Sequence, residues 1–239
     1  MVEGHMTIET MSILPLGFFL GLVHALDADH VMAVSSMATG RPGKGRSWLT
    51  SLLWSVGHSG LLLLAACIVI PLGLVIPAGF SRLAEVMVGV GMIGLGLWVF
   101  RGMLRRRGHI HFHDHDGMPS HAHWHVHAAA ATHEHRRTGS AHAHIHAPIM
   151  LGALHGLAGS APIFALLPAV GQGAFALAIA YVALFSVGLM LAMLLFGGLL
   201  GQLMTRLFER FGRRGIEGLQ SLAASGSMLL GVLLVGQNL

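Results

Sequence analysis

Four side chains that can bind a divalent metal ion occur within one short segment near the start of the chain. Residues 24–30 read HALDADH and supply two imidazoles, His24 and His30, and two carboxylates, Asp27 and Asp29. Mixed imidazole and carboxylate donors suit Ni²⁺, Co²⁺ or Zn²⁺. The flanking residues are apolar enough to cross a membrane, where a charged side chain costs about 2.5 kcal/mol or more and is rare without a function. The segment therefore predicts an intramembrane metal site.

A regular helix would not direct all four of these side chains at one ion. His24 and Asp27 would share a face, as would Asp27 and His30, because each pair is three residues apart. Asp29 would point elsewhere, and His24 and His30 would lie about 120° apart. Either the helix is unwound here, or only some of the four bind the metal while the others orient them. A hydrogen-bonded network between helices is the structural alternative to a metal site.

Two further histidines lie in apolar runs and are candidate ligands. His58 lies in the sequence SVGHS, and His155 begins the sequence HGLAGS. A single histidine within a membrane is often a hydrogen-bonding residue between helices, so neither is a ligand on its own evidence. The complete set of candidate metal ligands is His24, Asp27, Asp29, His30, His58 and His155.

A polar segment rich in histidine separates the two apolar halves of the chain. Of the 18 histidines, 13 lie between His109 and His146, many of them in His-x-His pairs. Neutral imidazoles can bind metal near pH 7. The segment has little apolar content to form a core, so we expect residues 109–147 to be disordered without metal. A pH-responsive solvated linker is the alternative interpretation.

The composition indicates an integral membrane protein. Hydrophobic residues make up 54% of the chain and charged residues 10%, with a mean hydropathy of +0.71. A soluble domain has about 25% charged residues. The net charge of +4 does not require a nucleic-acid partner, since the basic residues cluster between the apolar runs. The single cysteine, Cys67, excludes a site built from several thiolates.

Six apolar runs are each close to or above the roughly 20 residues that a spanning helix needs. The predicted fold is therefore all-α, that of a polytopic membrane protein with six transmembrane helices. The predicted spans are residues 11–38, 48–76, 83–100, 148–170, 173–204 and 219–239. All basic residues except Arg82 lie in the three loops after spans one, three and five. The positive-inside rule places these loops in the cytoplasm, with both termini outside the cytoplasmic membrane.

The chain resembles itself at an offset of 131 residues. Residues 21–26 (GLVHAL) match residues 152–157 (GALHGL), and residues 55–57 match residues 186–188 as SVG. His155 is thereby the counterpart of His24, whereas Ala158 and Ser160 replace the two carboxylates. We expect two three-span units, at 1–108 and 148–239, joined by the His-rich segment at 109–147. An odd number of spans per unit inverts the second unit, an arrangement found in secondary transporters.

The motif at 24–30 resembles the first-span signature of the nickel/cobalt transporter family, with its spacing His24-x4-Asp29-His30. Residues 57–59 (GHS) resemble the family's second motif, and the HGLAGS run resembles nickel permeases found with urease and hydrogenase systems. The resemblance implies a secondary transporter of Ni²⁺ or Co²⁺, which would be substrates, with no organic cofactor and no enzyme activity. It implies membrane lipid and a cytoplasmic metallochaperone as partners. The long His-rich segment is more like nickel/cobalt efflux permeases, which leaves both transport directions open.

Three other functions are compatible with intramembrane histidines. A membrane metalloenzyme of the di-iron type would need several His clusters near one interface. A haem-bearing electron carrier would use His24 and His155 as axial ligands. A metal-sensing or storage protein would depend on the His-rich segment. We rank these below a transporter because the candidate ligands are distributed over three apolar runs.

Overall fold

The protein is described by a computed structural model that covers residues 8–40, 46–74, 77–105, 109–115, 118–125, 143–158 and 175–239. Within these ranges it has six helices and one pair of strands. They are α1 (Ile8–His24), α2 (Ala28–Gly40), α3 (Arg46–Val69), α4 (Ala78–Arg105), β1 (His109–His115), β2 (Met118–His125), α5 (Ala143–Ala158) and α6 (Phe175–Asn238).

The helices account for part of the predicted membrane topology. Three segments are long and apolar enough to cross a membrane, namely Ser47–Val69, Gly79–Arg105 and Phe175–Asn238. Together α1 and α2 form a fourth candidate, a span bent by 55° at its break. Many large apolar side chains are exposed on the outer surface of this helical assembly. That distribution suits a protein surrounded by lipid, because hydrocarbon does not penalise outward-facing leucine and valine.

The count of six spans stays a prediction. Predicted spans five and six both lie in α6, a 64-residue helix that is interrupted at Gly212, where φ is 60° and ψ is −143°. This left-handed conformation is accessible to glycine, so the chain can change direction there. For predicted span four, α5 supplies residues 143–158, and residues 159–170 lie outside the described part of the chain.

The first half of α6 packs against α1 through a close backbone approach. A Cβ atom added at Gly21 of α1 would overlap the carbonyl group of Phe185 in α6. In the reverse direction, a Cβ atom at Gly188 of α6 would overlap the carbonyl oxygen of Phe18 in α1. Small residues permit this contact, which is a common way for helices to associate in lipid.

The pair formed by α3 and α5 repeats the same arrangement. A Cβ atom at Gly152 of α5 would overlap the carbonyl group of Trp54, and one at Gly57 of α3 would overlap that of Ile149. Each contact corresponds to one between α1 and α6 at the offset of 131 residues seen in the sequence. The contact between Gly21 and Phe185 corresponds to that between Gly152 and Trp54. The contact between Phe18 and Gly188 corresponds to that between Ile149 and Gly57.

A β-hairpin occupies the beginning of the His-rich segment and adds two short strands to an otherwise helical structure. Its strands are antiparallel, and three register positions pair histidine with histidine, His109↔His125, His111↔His123 and His113↔His121. The His-x-His spacing noted in the sequence has the period of two that suits a strand, and Ile and Phe alternate with histidine in β1. Residues 126–142 lie outside the described part of the chain, so the prediction for them stays open.

The glycine contacts predict a position-specific effect on stability within a single helix. Gly188→Ala should destabilise the protein by about 1–3 kcal/mol, because its Cβ would force α1 and α6 apart. Gly198→Ala is the matched control, since its Cβ would meet nothing within 4 Å. The control should be neutral or stabilising, because alanine favours a helix over glycine by up to about 1 kcal/mol. Thermal unfolding in detergent measures both variants, and equal shifts would contradict the assigned contact.

Candidate metal site

A break in the first span lies at the predicted metal motif. Helix α1 ends at His24, and α2 begins at Ala28. Two backbone hydrogen bonds hold the turn between them, from Leu26 N–H to the Val23 carbonyl and from Asp27 N–H to the His24 carbonyl. The bend between the two helices is 55°. The helix is therefore unwound at the motif, and which of the four residues would bind an ion directly stays a prediction.

The break brings His24 and His30 together. Their ring centroids are 4.6 Å apart, although a regular helix would place these side chains about 120° apart around its axis. The ring of His30 is oriented by a hydrogen bond, 2.9 Å long, from Nδ1 to the backbone carbonyl of His24. A carbonyl oxygen only accepts, so Nδ1 carries the proton and Nε2 of the neutral ring keeps a lone pair for a metal ion.

His58 and His155 reach the same cluster from α3 and α5. The His58 ring centroid is 5.2 Å from that of His30 and 5.6 Å from that of His24. The His155 ring centroid is 5.6 Å from that of His30. His155 also donates from Nδ1 to the Leu151 carbonyl at 2.9 Å, which directs its Nε2 away from that bond. Because His24 and His155 both adjoin His30, their rings are at most about 10 Å apart.

Several nitrogens of this cluster are buried without a hydrogen-bond partner. They are Nε2 of His24, both ring nitrogens of His58, and Nε2 of His155. A buried polar atom without a partner costs about 1–3 kcal/mol, so several in one place need an explanation. One ring nitrogen from each of His24, His30 and His58 lies within 4.8 Å of the other two. Lone pairs that converge in this way can hold a transition-metal ion.

The two carboxylates occupy the exposed side of the cluster. Asp27 Oδ2 lies 2.7 Å from His24 Nδ1, and Asp29 Oδ2 lies 3.9 Å from His30 Nε2. The Asp27 side chain is 52% exposed and that of Asp29 is 31% exposed. Both precede or begin α2, where the partial positive charge of a helix N-terminus stabilises a carboxylate. The structure thus brings all six predicted residues into one neighbourhood.

Two aromatic side chains adjoin the histidines and were not among the sequence-predicted residues. The buried ring of Trp54 lies 4.9 Å from His30, 5.2 Å from His58 and 5.4 Å from His155, between ring centroids. The Phe185 ring lies 5.3 Å from that of His24. The internal repeat carries a signal for both, because each aromatic residue directly precedes one copy of the SVG motif. Their bulk restricts the space available to water beside the imidazoles.

Relatives of the chain are known from its sequence. It is 29% identical over 194 residues to the urease accessory protein UreH of Bacillus sp. (strain TB-90), covering 81% of this chain and 78% of that protein. It is 31% identical over 86 residues to the high-affinity nickel transport protein of Cupriavidus necator, covering 36% of this chain and 24% of that protein. These similarities agree with the resemblance of the sequence motifs to nickel/cobalt permeases. No protein-family model and no solved structure matches it.

One relative is named as a nickel transport protein and the other as a urease accessory protein. The described helices that are long and apolar enough to cross a membrane agree with a membrane protein of this kind. The cluster itself consists of groups that bind metal and of aromatic residues that enclose them. A permease can use such a cluster to bind an ion reversibly between the two sides of a membrane.

The cluster predicts that two histidines of the same helix differ in their effect on metal binding. His155→Ala should weaken Ni²⁺ binding near Trp54 by about tenfold or more. Even the loss of a residue that only orients a ligand lowers metal affinity by about that factor. His146→Ala is the control, because His146 is also in α5 but is exposed. Quenching of Trp54 emission by Ni²⁺, with Trp48, Trp98 and Trp124 replaced by Phe, reports binding at the cluster. Equal Ni²⁺ affinities for the two variants would argue against His155 as a ligand.

Proposed function

We propose that this protein is a permease, a secondary transporter that carries Ni²⁺, and also Co²⁺, across the cytoplasmic membrane. The ion would bind at His24, Asp27, Asp29, His30, His58 and His155. The observation that carries this proposal is the set of buried imidazole nitrogens without partners, which lies at a break between two apolar helices. One relative is named as a nickel transport protein, which supports nickel as the substrate.

The donor atoms favour transition metals over the more abundant divalent cations. Imidazole nitrogens bind Ni²⁺ and Co²⁺ well, whereas Mg²⁺ and Ca²⁺ prefer shells made of oxygen atoms. The carboxylates of Asp27 and Asp29 balance the charge of a divalent ion, which lowers the cost of moving it into an apolar region. Copper would also bind by the general order of affinities, so its exclusion would depend on geometry or on its low availability.

The paired glycine contacts support an inverted repeat. If the two halves are related by a pseudo-twofold axis, each contact between the halves occurs twice. A contact between residue i of the first half and residue j of the second is repeated between residues j − 131 and i + 131. The contacts of α1 with α6 and of α3 with α5 obey this relation at Gly21/Phe185 and Gly152/Trp54. The rings beside the histidines obey it as well, since Phe185 adjoins His24 and Trp54 adjoins His155. Such an arrangement would let the halves rock about a shared site.

The His-rich segment would serve the cytoplasmic side of transport. Six of the chain's 14 basic residues lie between predicted spans three and four, so the positive-inside rule places this segment in the cytoplasm and both termini outside. Its histidines would hold ions that enter or leave the intramembrane cluster. A cytoplasmic metallochaperone would exchange metal with the segment.

Substitution of the first-span motif should abolish transport. Each of three substitutions removes one metal donor from the cluster, namely His24→Ala, Asp29→Asn and His30→Ala. An ion bound to the remaining groups would have an incomplete set of ligands. Uptake of radioactive nickel into proteoliposomes should fall to the level of protein-free vesicles for each variant. Glu209→Gln, at an exposed position of α6 outside the cluster and the His-rich segment, is the control for loss of one carboxylate. Normal nickel flux in all three motif variants would refute the proposed site, and flux no greater than background for the parent chain would refute nickel transport.

Deletion of the His-rich segment should separate its role from that of the cluster. Replacing residues 109–146 by a short Gly/Ser linker should preserve nickel flux at saturating metal. The reason is that all six proposed ligands of the intramembrane site lie outside the deleted residues. Flux at low metal should change, since local capture of ions would be lost. Cellular accumulation of radioactive nickel, with and without expression, also gives the direction of transport. Complete loss of flux at saturating metal would show that the segment belongs to the conduction path.

A further inference from the structure

Two groups of metal donors adjoin one another in the cluster and have one residue in common. We call His24, His30 and His58 the buried ligand group, and Asp27, Asp29 and His30 the exposed ligand group. Within each group, one ligand atom from every residue lies within 4.8 Å of the others. The two groups differ in chemistry, since the first is made of imidazoles alone and the second contains both carboxylates.

His30 can serve only one of the two groups at a time. Its Nδ1 donates to the His24 carbonyl at 2.9 Å, so Nε2 is the nitrogen left for a metal ion. That Nε2 lies 3.9 Å from Asp29 Oδ2, on the side of the exposed ligand group. A single imidazole lone pair binds a single ion. Occupation of the buried position through His30 therefore excludes occupation of the exposed position through the same residue.

We propose that the cluster holds one transition-metal ion in two alternative positions, and that the ion passes between them by exchange of ligands around His30 Nε2. The exposed ligand group captures the ion, and the buried ligand group then holds it without its water shell. This inference rests on the proposed transport function, and it adds an order of events within the same site.

The two positions suit a hydrated and a dehydrated ion. The side chains of Asp27 and Asp29 are 52% and 31% exposed, so the protein leaves space around an ion bound there for part of its water shell. His30 and His58 are 1% and 0% exposed, so an ion bound between them must exchange water for imidazole nitrogen. Carboxylates attract a hydrated cation over a longer range than neutral imidazoles do, which makes the exposed ligand group the better capture position.

Asp27 links the two positions because it also orients His24. Its Oδ2 lies 2.7 Å from His24 Nδ1, and His24 Nε2 is buried without a partner. A carboxylate that accepts a hydrogen bond from one imidazole nitrogen fixes the other nitrogen for a metal ion and makes it more basic. After the ion has moved inward, Asp27 therefore still supports the buried ligand group while its negative charge stays near the ion.

Trp54 provides a readout of the buried position. Its ring centroid lies 4.9 Å from that of His30 and 5.2 Å from that of His58, so Co²⁺ held by these imidazoles would quench its fluorescence. The test uses the full chain in detergent, with Trp48, Trp98 and Trp124 replaced by Phe so that Trp54 is the only indole. Stopped-flow mixing with Co²⁺ then gives the rate and the amplitude of quenching.

The decisive variant is the double substitution Asp27→Asn and Asp29→Asn. Asparagine has the shape of aspartate, and its amide oxygen can still accept from His24 Nδ1. We expect the association rate of Co²⁺ to fall about tenfold or more, as the capture charge is lost, while the amplitude at saturating Co²⁺ stays near that of the parent. Glu85→Gln with Glu209→Gln is the control for charge, because both residues lie outside the cluster and outside the His-rich segment. It should leave both quantities unchanged.

Each other result for the double variant overturns the proposal. An unchanged association rate would show that the carboxylates do not form a capture position. Loss of the amplitude at saturating Co²⁺ would show one mixed site in place of two positions. In addition, His58→Gln should speed the release of Co²⁺ into a chelator by about tenfold or more, and an unchanged release rate would exclude His58 from the buried position.

These measurements concern binding and not flux, so they are independent of the transport test. Quenching that follows these expectations in a chain that moves no nickel in proteoliposomes would refute the proposed function alone. A chain that transports nickel with an unchanged association rate in the double variant would refute the two positions alone.

Discussion

The structure depends on a break in an apolar span that hydrocarbon could not accommodate by itself. Between His24 and Ala28 the backbone leaves the helical path, and lipid offers no hydrogen bonds to the groups that this frees. The break is tolerated because protein surrounds it on several sides. The ring of His30 donates to the His24 carbonyl, and α3, α5 and α6 contribute the aromatic and imidazole rings that enclose the turn.

Close helix packing is what allows this enclosure. Gly152 lets α5 approach the backbone of α3 at Trp54, and Gly156 lets it approach the backbone at His58, since a Cβ atom at either position would contact a carbonyl group. Gly21 has the same role between α1 and α6. Leucine at such positions would separate the helices by several ångströms and widen the cluster. The small residues therefore set the distances between the histidines, although none of them is a candidate ligand.

The site is asymmetric although the packing around it follows the internal repeat. His24 and His155 occupy equivalent positions, as do the aromatic rings beside them. The carboxylates occur only in the first half, since Ala158 and Ser160 stand at the equivalent positions in the second. Negative charge therefore lies on one side of the cluster, next to the exposed turn, and the opposite side consists of buried neutral rings.

The sequence by itself determined which residue types enter the membrane, because apolar length and the cost of buried charge act locally. His24, Asp27, Asp29 and His30 stood out for that reason, and the resemblance to nickel/cobalt permeases agrees with the relatives of the chain. The same local reasoning noted the His-x-His spacing but did not predict the pairing of β1 with β2, because that pairing is a contact between two segments of the chain. It also left open whether the helix unwinds at residues 24–30. Only the tertiary structure showed the break in the helix, and it alone placed Trp54 and Phe185 beside the histidines. Those distances depend on how helices far apart in the chain approach one another.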